Sequence, residues 1–255
     1  MKMTQQDAAL VALVTGATSG IGVEIARRLI QDGLRVVITG RSEERGRLVA
    51  DKLGEHSRFI RADLSEPGAA SALIEATLAE WGRLDVLVNN AAIDHTNDLL
   101  AVDEEEIRST FETNTFAPMN LLIAAARAMR AQGDGGSIIN ITSRLASIGV
   151  PTMGIYSASK GAMLAFTKAA AIDLAPENIR VNAVAPGMTR TPLYQQWLDS
   201  LPDPEREAER VASAIPLGRI AESKDVASVV SFLASPDNAY LTGISIPVDG
   251  GYLAK

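Results

Sequence analysis

Short apolar runs alternate with longer helical stretches along the whole of this chain. Leu10–Val14 is apolar throughout, without the polar alternation of a half-exposed strand, and predicts a strand buried on both faces. Ile21–Gln31 then predicts a helix, Arg35–Thr39 a strand, Glu43–Leu53 a helix and Arg58–Ala62 a strand. The pattern continues with a helix over Glu66–Trp81, a strand over Asp85–Val88, a helix over 103–131 and a strand over Ser137–Ile141. A helix over 155–175, a strand over Arg180–Val184, a helix over Lys224–Ala234 and a strand over Ile244–Val248 complete it. Apolar strands in strict alternation with helices imply an α/β fold, a doubly wound seven-stranded parallel sheet with helices on both faces. No linker, repeat or low-complexity stretch interrupts the pattern, so residues 1–255 read as one domain. The irregular stretch is Pro186–Leu217, rich in proline, with room for two short helices around 190–198 and 204–213. An insertion of that length after a strand suggests a lid or binding loop over about 188–217.

Composition narrows the chemistry more than the fold. Hydrophobic residues make up 47% and charged residues 22%, with a net charge of −7 and no basic stretch. That disfavours nucleic acid and anionic membrane as partners. The absence of cysteine excludes disulfides, thiolate nucleophiles and cysteine-ligated metals. The two histidines, His56 and His95, are far apart and match no metal-ligand spacing, so no metal is expected. The first seven residues lead into a short apolar run, Ala8–Val14, that ends in a glycine turn. It is too short for a membrane helix and lacks a signal-peptide pattern, so a cytoplasmic protein is the expectation.

Two features carry candidate chemistry. Thr15-Gly16-Ala17-Thr18-Ser19-Gly20-Ile21-Gly22 falls between the first strand and the first helix. Glycines there permit a tight turn and a close backbone approach, and the helix N-terminus offers amide donors to a pyrophosphate, as in a Rossmann fold. At the tip of the second strand, Thr39-Gly40-Arg41-Ser42 holds no carboxylate for an adenosine ribose. Arg41 instead offers a charged fork to a 2′-phosphate, which favours NADP(H) over NAD(H) while leaving NAD(H) open. Ser42 reads as the cap of the next helix, with Glu43 and Glu44 in its first turn. The second feature is Tyr156 and Lys160, four residues apart in a helical segment and so on one face. An ammonium beside a phenol favours phenolate and moves a group of ordinary pKa about 10 toward neutral proton exchange. Alone, such a pair is a weak signal.

With the glycine loop and this pair together, the chain resembles the short-chain dehydrogenase/reductase family, nearly from end to end. Asp63-Leu64 resembles the family's adenine-contacting pair, and Asn89-Asn90-Ala91-Ala92 its fourth-strand motif, with Ala92 where glycine is usual. Asn114 matches the catalytic asparagine, with Ala117 three residues on where glycine often stands. Ser143 lies at the usual spacing, 13 residues before Tyr156. Pro186-Gly187-Met188-Thr189 resembles the turn that holds the nicotinamide carboxamide, and Asp249-Gly250-Gly251 the C-terminal signature. The resemblance implies a cofactor site of Gly16, Thr18, Ser19, Gly20, Ile21, Gly22, Arg41, Ser42, Asp63, Leu64, Asn90, Ala91, Tyr156, Lys160, Pro186, Gly187 and Thr189. It also implies that Tyr156 is the general acid or base and that Lys160 lowers its pKa and binds the ribose hydroxyls. Ser143 would polarise the reacting oxygen, and Asn114 would hold a water linking Lys160 to solvent.

The expected activity is therefore hydride transfer between a nicotinamide cofactor and a ketone or secondary alcohol, with a 3-oxoacyl-type or other carbonyl reductase first. A sugar or cyclic-alcohol dehydrogenase using NAD and a catalytically silent nucleotide-sensing protein are the alternatives. Candidate pocket residues are His95, Arg144, Leu145, Met153, Met188, Leu193, Tyr194 and Trp197. Arg144 reads as a solvated or interface charge, with capture of a carboxylate or phosphate as the other possibility. The segments 114–131 and 155–175 are apolar nearly all round, through Phe116, Met119, Leu121, Leu122, Ile123 and Met129 and through Met163, Leu164, Phe166, Ile172 and Leu174. Such helices need burial beyond the sheet, and in the family they pair between subunits, so a homotetramer is expected, with a dimer second.

Overall fold

The computed structural model describes residues 9–255; the reading of the chain start falls on residues 1–8, outside the described residues. Strands β1 (Val11–Thr15), β2 (Arg35–Gly40) and β3 (Ser57–Arg61) alternate with helices α1 (Gly20–Gln31), α2 (Glu43–Leu53) and α3 (Ala69–Trp81). After β4 (Val86–Asn89) come α4 (Glu104–Phe111) and α5 (Ala117–Gln132), then β5 (Gly136–Ile141), α6 (Gly154–Leu174) and β6 (Ile179–Pro186). A short strand β7 (Thr189–Arg190) leads into α7 (Pro192–Asp199) and α8 (Pro204–Ser213), and β8 (Ala221–Glu222), α9 (Ser223–Ala234) and β9 (Ser245–Val248) follow. The main sheet has seven strands in the order β3-β2-β1-β4-β5-β6-β9, and every pairing in it is parallel.

The continuous apolar strands are buried on both faces, as their composition requires. Along β1, Ala12 and Val14 face one layer, with Ile25 and Leu29 of α1 and Val226, Val230 and Leu233 of α9. Leu13 faces the other, with Leu73 of α3, Leu121 and Met129 of α5 and Ala170 of α6. The chain reverses its direction of winding between β1 and β4, and a crevice opens there at the C-terminal ends of the strands. No helix among the described residues is long and apolar enough to cross a membrane.

Three elements differ from expectation. The segment 103–131 is not one helix: a π-turn over Glu112–Phe116 separates α4 from α5. Pro118 lacks the N–H that would bond the Asn114 carbonyl, and its ring crowds that carbonyl, so the ladder shifts at that point. Helix α3 starts at Ala69 and not at Glu66, behind Gly68 with its left-handed φ of 81°. The β7–β8 ribbon was not expected; it pairs Thr189 with Ala221 and Arg190 with Glu222 at the two ends of the α7–α8 excursion.

Candidate active site

The glycine loop connects β1 to α1 at the sheet's switch point. Gly16 and Gly20 adopt left-handed φ values of 62° and 57°. A Cβ at Gly22 would lie 2.6 Å from the Gly16 carbonyl oxygen and 2.7 Å from Asn90 Nδ2. The loop therefore lies flush against the segment after β4. Thr15 and Asn90 fasten it: Thr15 Oγ1 accepts from the Asn90 and Ala91 amides at 2.9 and 3.0 Å, and Asn90 Nδ2 donates to the Thr15 carbonyl at 2.9 Å. Thr18 packs against Gly40, where a Cβ would come within 2.7 Å of its methyl group. Ser19 precedes α1 in extended conformation without a side-chain cap, so the first amides of that helix keep their donors for a ligand. This cradle fits a dinucleotide pyrophosphate.

The adenosine side is less closed. Ser42 caps α2, accepting from the Arg45 amide at 3.4 Å. Arg41 is exposed beside it, with no carboxylate partner among the described residues. Asp63 accepts from both the amide and hydroxyl of Ser65, and these bonds, with Arg41 and Arg61 nearby, hold its carboxyl below the usual range. Leu64 packs against the α3 and α5 layer. At the other end, the Gly187 amide donates to the Val248 carbonyl at 2.9 Å, and a Cβ there would lie 2.9 Å from Asp249 Cα. Thr189 Oγ1 donates to the Gly187 carbonyl at 3.1 Å, and Pro186 ends β6 beneath them.

Ser143, Tyr156 and Thr189 meet on one cavity of about 590 Å³, which Ile21 of α1 also lines. Ser143 follows β5 and caps a short turn through the Leu145 amide at 3.1 Å. Tyr156 enters from the first turn of α6. Lys160 lies one turn further on, 4% exposed, with Nζ donating to the Ile141 carbonyl at 3.0 Å and 5.7 Å from the Tyr156 ring centre. Asn114, in the π-turn, clamps the Ile93 main chain at 2.8 and 2.7 Å and donates to Ser159 Oγ at 3.2 Å. Its carboxamide thus ties the β4 loop to α6, and its main-chain carbonyl loses its α-helical donor to Pro118.

The electrostatics correct one expectation. Lys160 does not pull the Tyr156 phenol toward neutrality here: burial pushes it up to about 12, Ser143 works against that shift, and Asp94 adds to it. Burial likewise brings Lys160 down to about 8, so the nearby cation is itself weakened. A second correction concerns His95. It does not line this cavity; it faces a neighbouring pocket of about 260 Å³, with Nδ1 2.9 Å from Thr110 Oγ1. Arg144, Leu145, Met153, Met188, Leu193, Tyr194 and Trp197 do line the main cavity. Sequence reading missed Asp94, Thr96 and Gln196, which join them. Asp94 was findable as the third residue after the Asn90-Ala91 pair; nothing local marked the others.

Known proteins share this architecture. The family model described as enoyl-(acyl carrier protein) reductase matches residues 16–253. A 3-oxoacyl-(acyl-carrier-protein) reductase of Vibrio cholerae is 36% identical over 94% of this chain and 96% of its own. A diacetyl reductase of Staphylococcus epidermidis, described as (S)-acetoin forming, is 36% identical over 96% of this chain and 98% of its own. A variant of actinorhodin polyketide ketoreductase solved with NADPH superposes with a TM-score of 0.91 at 36% identity, covering 98% of this chain and 99% of that one.

Proposed function

Because the chain belongs to the short-chain dehydrogenase/reductase family of oxidoreductases, we propose that it is an NADP(H)-dependent carbonyl reductase with Tyr156 as proton donor. The observation that carries this reading is the convergence of Ser143 and Tyr156 on a cavity that opens onto the glycine-loop helix, with Lys160 buried one turn behind the phenol. The dinucleotide, when bound, supplies or accepts the hydride. The chain's residues do the rest. Ser143 donates to the carbonyl oxygen as charge develops on it, and Tyr156 delivers the proton. A phenol held near pKa 12 stays protonated at neutral pH, which suits the reductive direction. Lys160 and the Asn114 carbonyl, which Pro118 deprives of its α-helical donor, mark a route for reprotonation. Arg41, exposed and unpaired, supports NADP(H) over NAD(H) through a 2′-phosphate. The names of the relatives add weight, since one acts on 3-oxoacyl groups and another on a small diketone.

One domain, with residues 188–217 as a lid, is enough for this activity, and the apolar outer faces of α5 and α6 support assembly. Ile123 and Ile172 are 41% and 76% exposed there, beside a groove that also takes in Phe166 and Leu174. A homotetramer is our reading, and a monomeric mass in dilute solution overturns it. The activity is tested by following NADPH and NADH absorbance against 3-oxoacyl thioesters, simple ketones, sugars and secondary alcohols. Turnover of a ketone with NADPH supports the reading. Exclusive oxidation of a sugar with NAD, or no turnover of any of them, refutes it.

A further inference from the structure

Arg144 follows Ser143 directly and lines the same cavity. Its guanidinium lies 4.0 Å from the Tyr252 ring centre, stacked on an aromatic platform from the far end of the chain. Among the described residues it makes no side-chain hydrogen bond and no ion pair, although the residue is half-buried. Asp249 is near enough for its charge to favour the Arg144 cation but forms no ion pair with it, its oxygens accepting from the Gly251 and Leu253 amides, both at 2.9 Å. The cavity's other charged residue, Asp94, is solvent-exposed, where water screens it. The other cations around Tyr252 are engaged, Lys255 with the Ala214 carbonyl and Arg210 with Glu207. Burial lowers the Arg144 pKa. A partly desolvated guanidinium, fixed in orientation and left with its donor fork free, is built for an anion that arrives from outside.

We propose that Arg144 is the anion-binding residue of the substrate cavity, and that the substrate is a short oxo acid whose carboxylate it grips while Ser143 and Tyr156 hold the ketone. This rests on the carbonyl-reductase reading above and narrows it. A carboxylate fits better than a phosphate: one planar fork matches one planar monoanion, and a single guanidinium leaves a dianion half balanced. The ketone sits at Ser143 and Tyr156 and the carboxylate at the Arg144 guanidinium, so the number of bonds between them is what a series of oxo acids reads out. Leu145, Val150, Met153, Met188 and Leu193 give the remaining walls an apolar character that suits a small hydrocarbon body.

The test compares kcat/KM for 2-, 3- and 4-oxo acids with their methyl esters and with a 3-oxoacyl thioester. One acid should exceed its ester by at least about tenfold. Arg144→Met, which keeps the stem on Tyr252, should bring that acid-to-ester ratio close to one, through the KM of the acid, and Arg144→Lys should restore part of it. Arg144→Glu should reverse the preference toward a ketone carrying an ammonium group. The proposal is overturned if esters or thioesters match the acids in the wild-type enzyme, or if Arg144→Met lowers acid and ester alike. In those cases ketone turnover persists and the carbonyl-reductase reading survives. Absence of turnover with every carbonyl and both dinucleotides overturns the two together.

Discussion

Below the N-terminal ends of the strands, the chain buries Asp85, 7% exposed, and surrounds it with donors of its own. The Val11 amide at 2.8 Å, Arg83 at 2.8 and 2.7 Å and Gln132 at 3.3 Å fill both carboxylate oxygens. Above the C-terminal ends, Lys160 is as deeply buried but has one main-chain carbonyl, and Arg144 has only an aromatic face. The first arrangement raises the Arg83 pKa and the second lowers that of Lys160, so the protein gains from one charge and strains against the other. A buried charge that serves the fold brings its partners with it. One that serves a ligand keeps its partner positions open, and the fold bears the cost.

The sharpest way to break this contrast is at Tyr156. Tyr156→Phe should lower kcat about a thousandfold or more while NADPH still binds and the thermal midpoint holds. Turnover within threefold of wild type would remove the phenol from the chemistry. At the opposite end, Asp85→Ala leaves Arg83 with Asp134 alone and strands the Val11 amide, and urea unfolding should show a loss of about 3 kcal/mol. The activity per folded molecule should be retained. A loss below about 1 kcal/mol would mean that the two ends are not treated differently.

Lys160 gives a pH signature. Its folded pKa, about 8, lies below the ordinary 10.5, so the unfolded chain holds the proton more tightly. Stability should therefore rise as pH goes from about 8 toward 10.5, by up to about 3 kcal/mol. Tyr156, shifted upward, reverses the trend only above about pH 10. Lys160→Met should abolish that rise and leave the protein at least as stable at pH 7, while turnover is lost. A wild-type stability that is flat from pH 8 to 10 contradicts the strained-charge picture. The smallest effect concerns Arg41. Arg41→Ala should reduce kcat/KM with NADPH about tenfold or more and leave NADH nearly unaffected; equal losses for the two would assign Arg41 to structure.

Much of this molecule was legible along the chain. Continuous apolar runs such as Val11–Val14 specify strands buried on both faces, and glycines at 16, 20 and 22 specify a tight turn, closed to a Cβ at 16 and 22 and left-handed at 16 and 20. The spacing of Tyr156 and Lys160 places both on one helix face. These are consequences of backbone period and of sterics within a few residues, which any window of sequence carries. What the tertiary structure alone decided lies in contacts between distant segments. The reading of 103–131 as one helix passed over Pro118 and the π-turn before it, and the Asn114 clamp needed Ile93 and Ser159 to arrive beside it. The phenol's pKa moved upward, against the local expectation, because burial by the whole fold outweighed the Ser143 hydrogen bond. Arg144 read as a surface charge until Tyr252, from the opposite end of the chain, came beneath it. Periodicity is local and survives in the sequence. The environment of a charge is set by whatever packs around it, and only the folded chain brings those groups together.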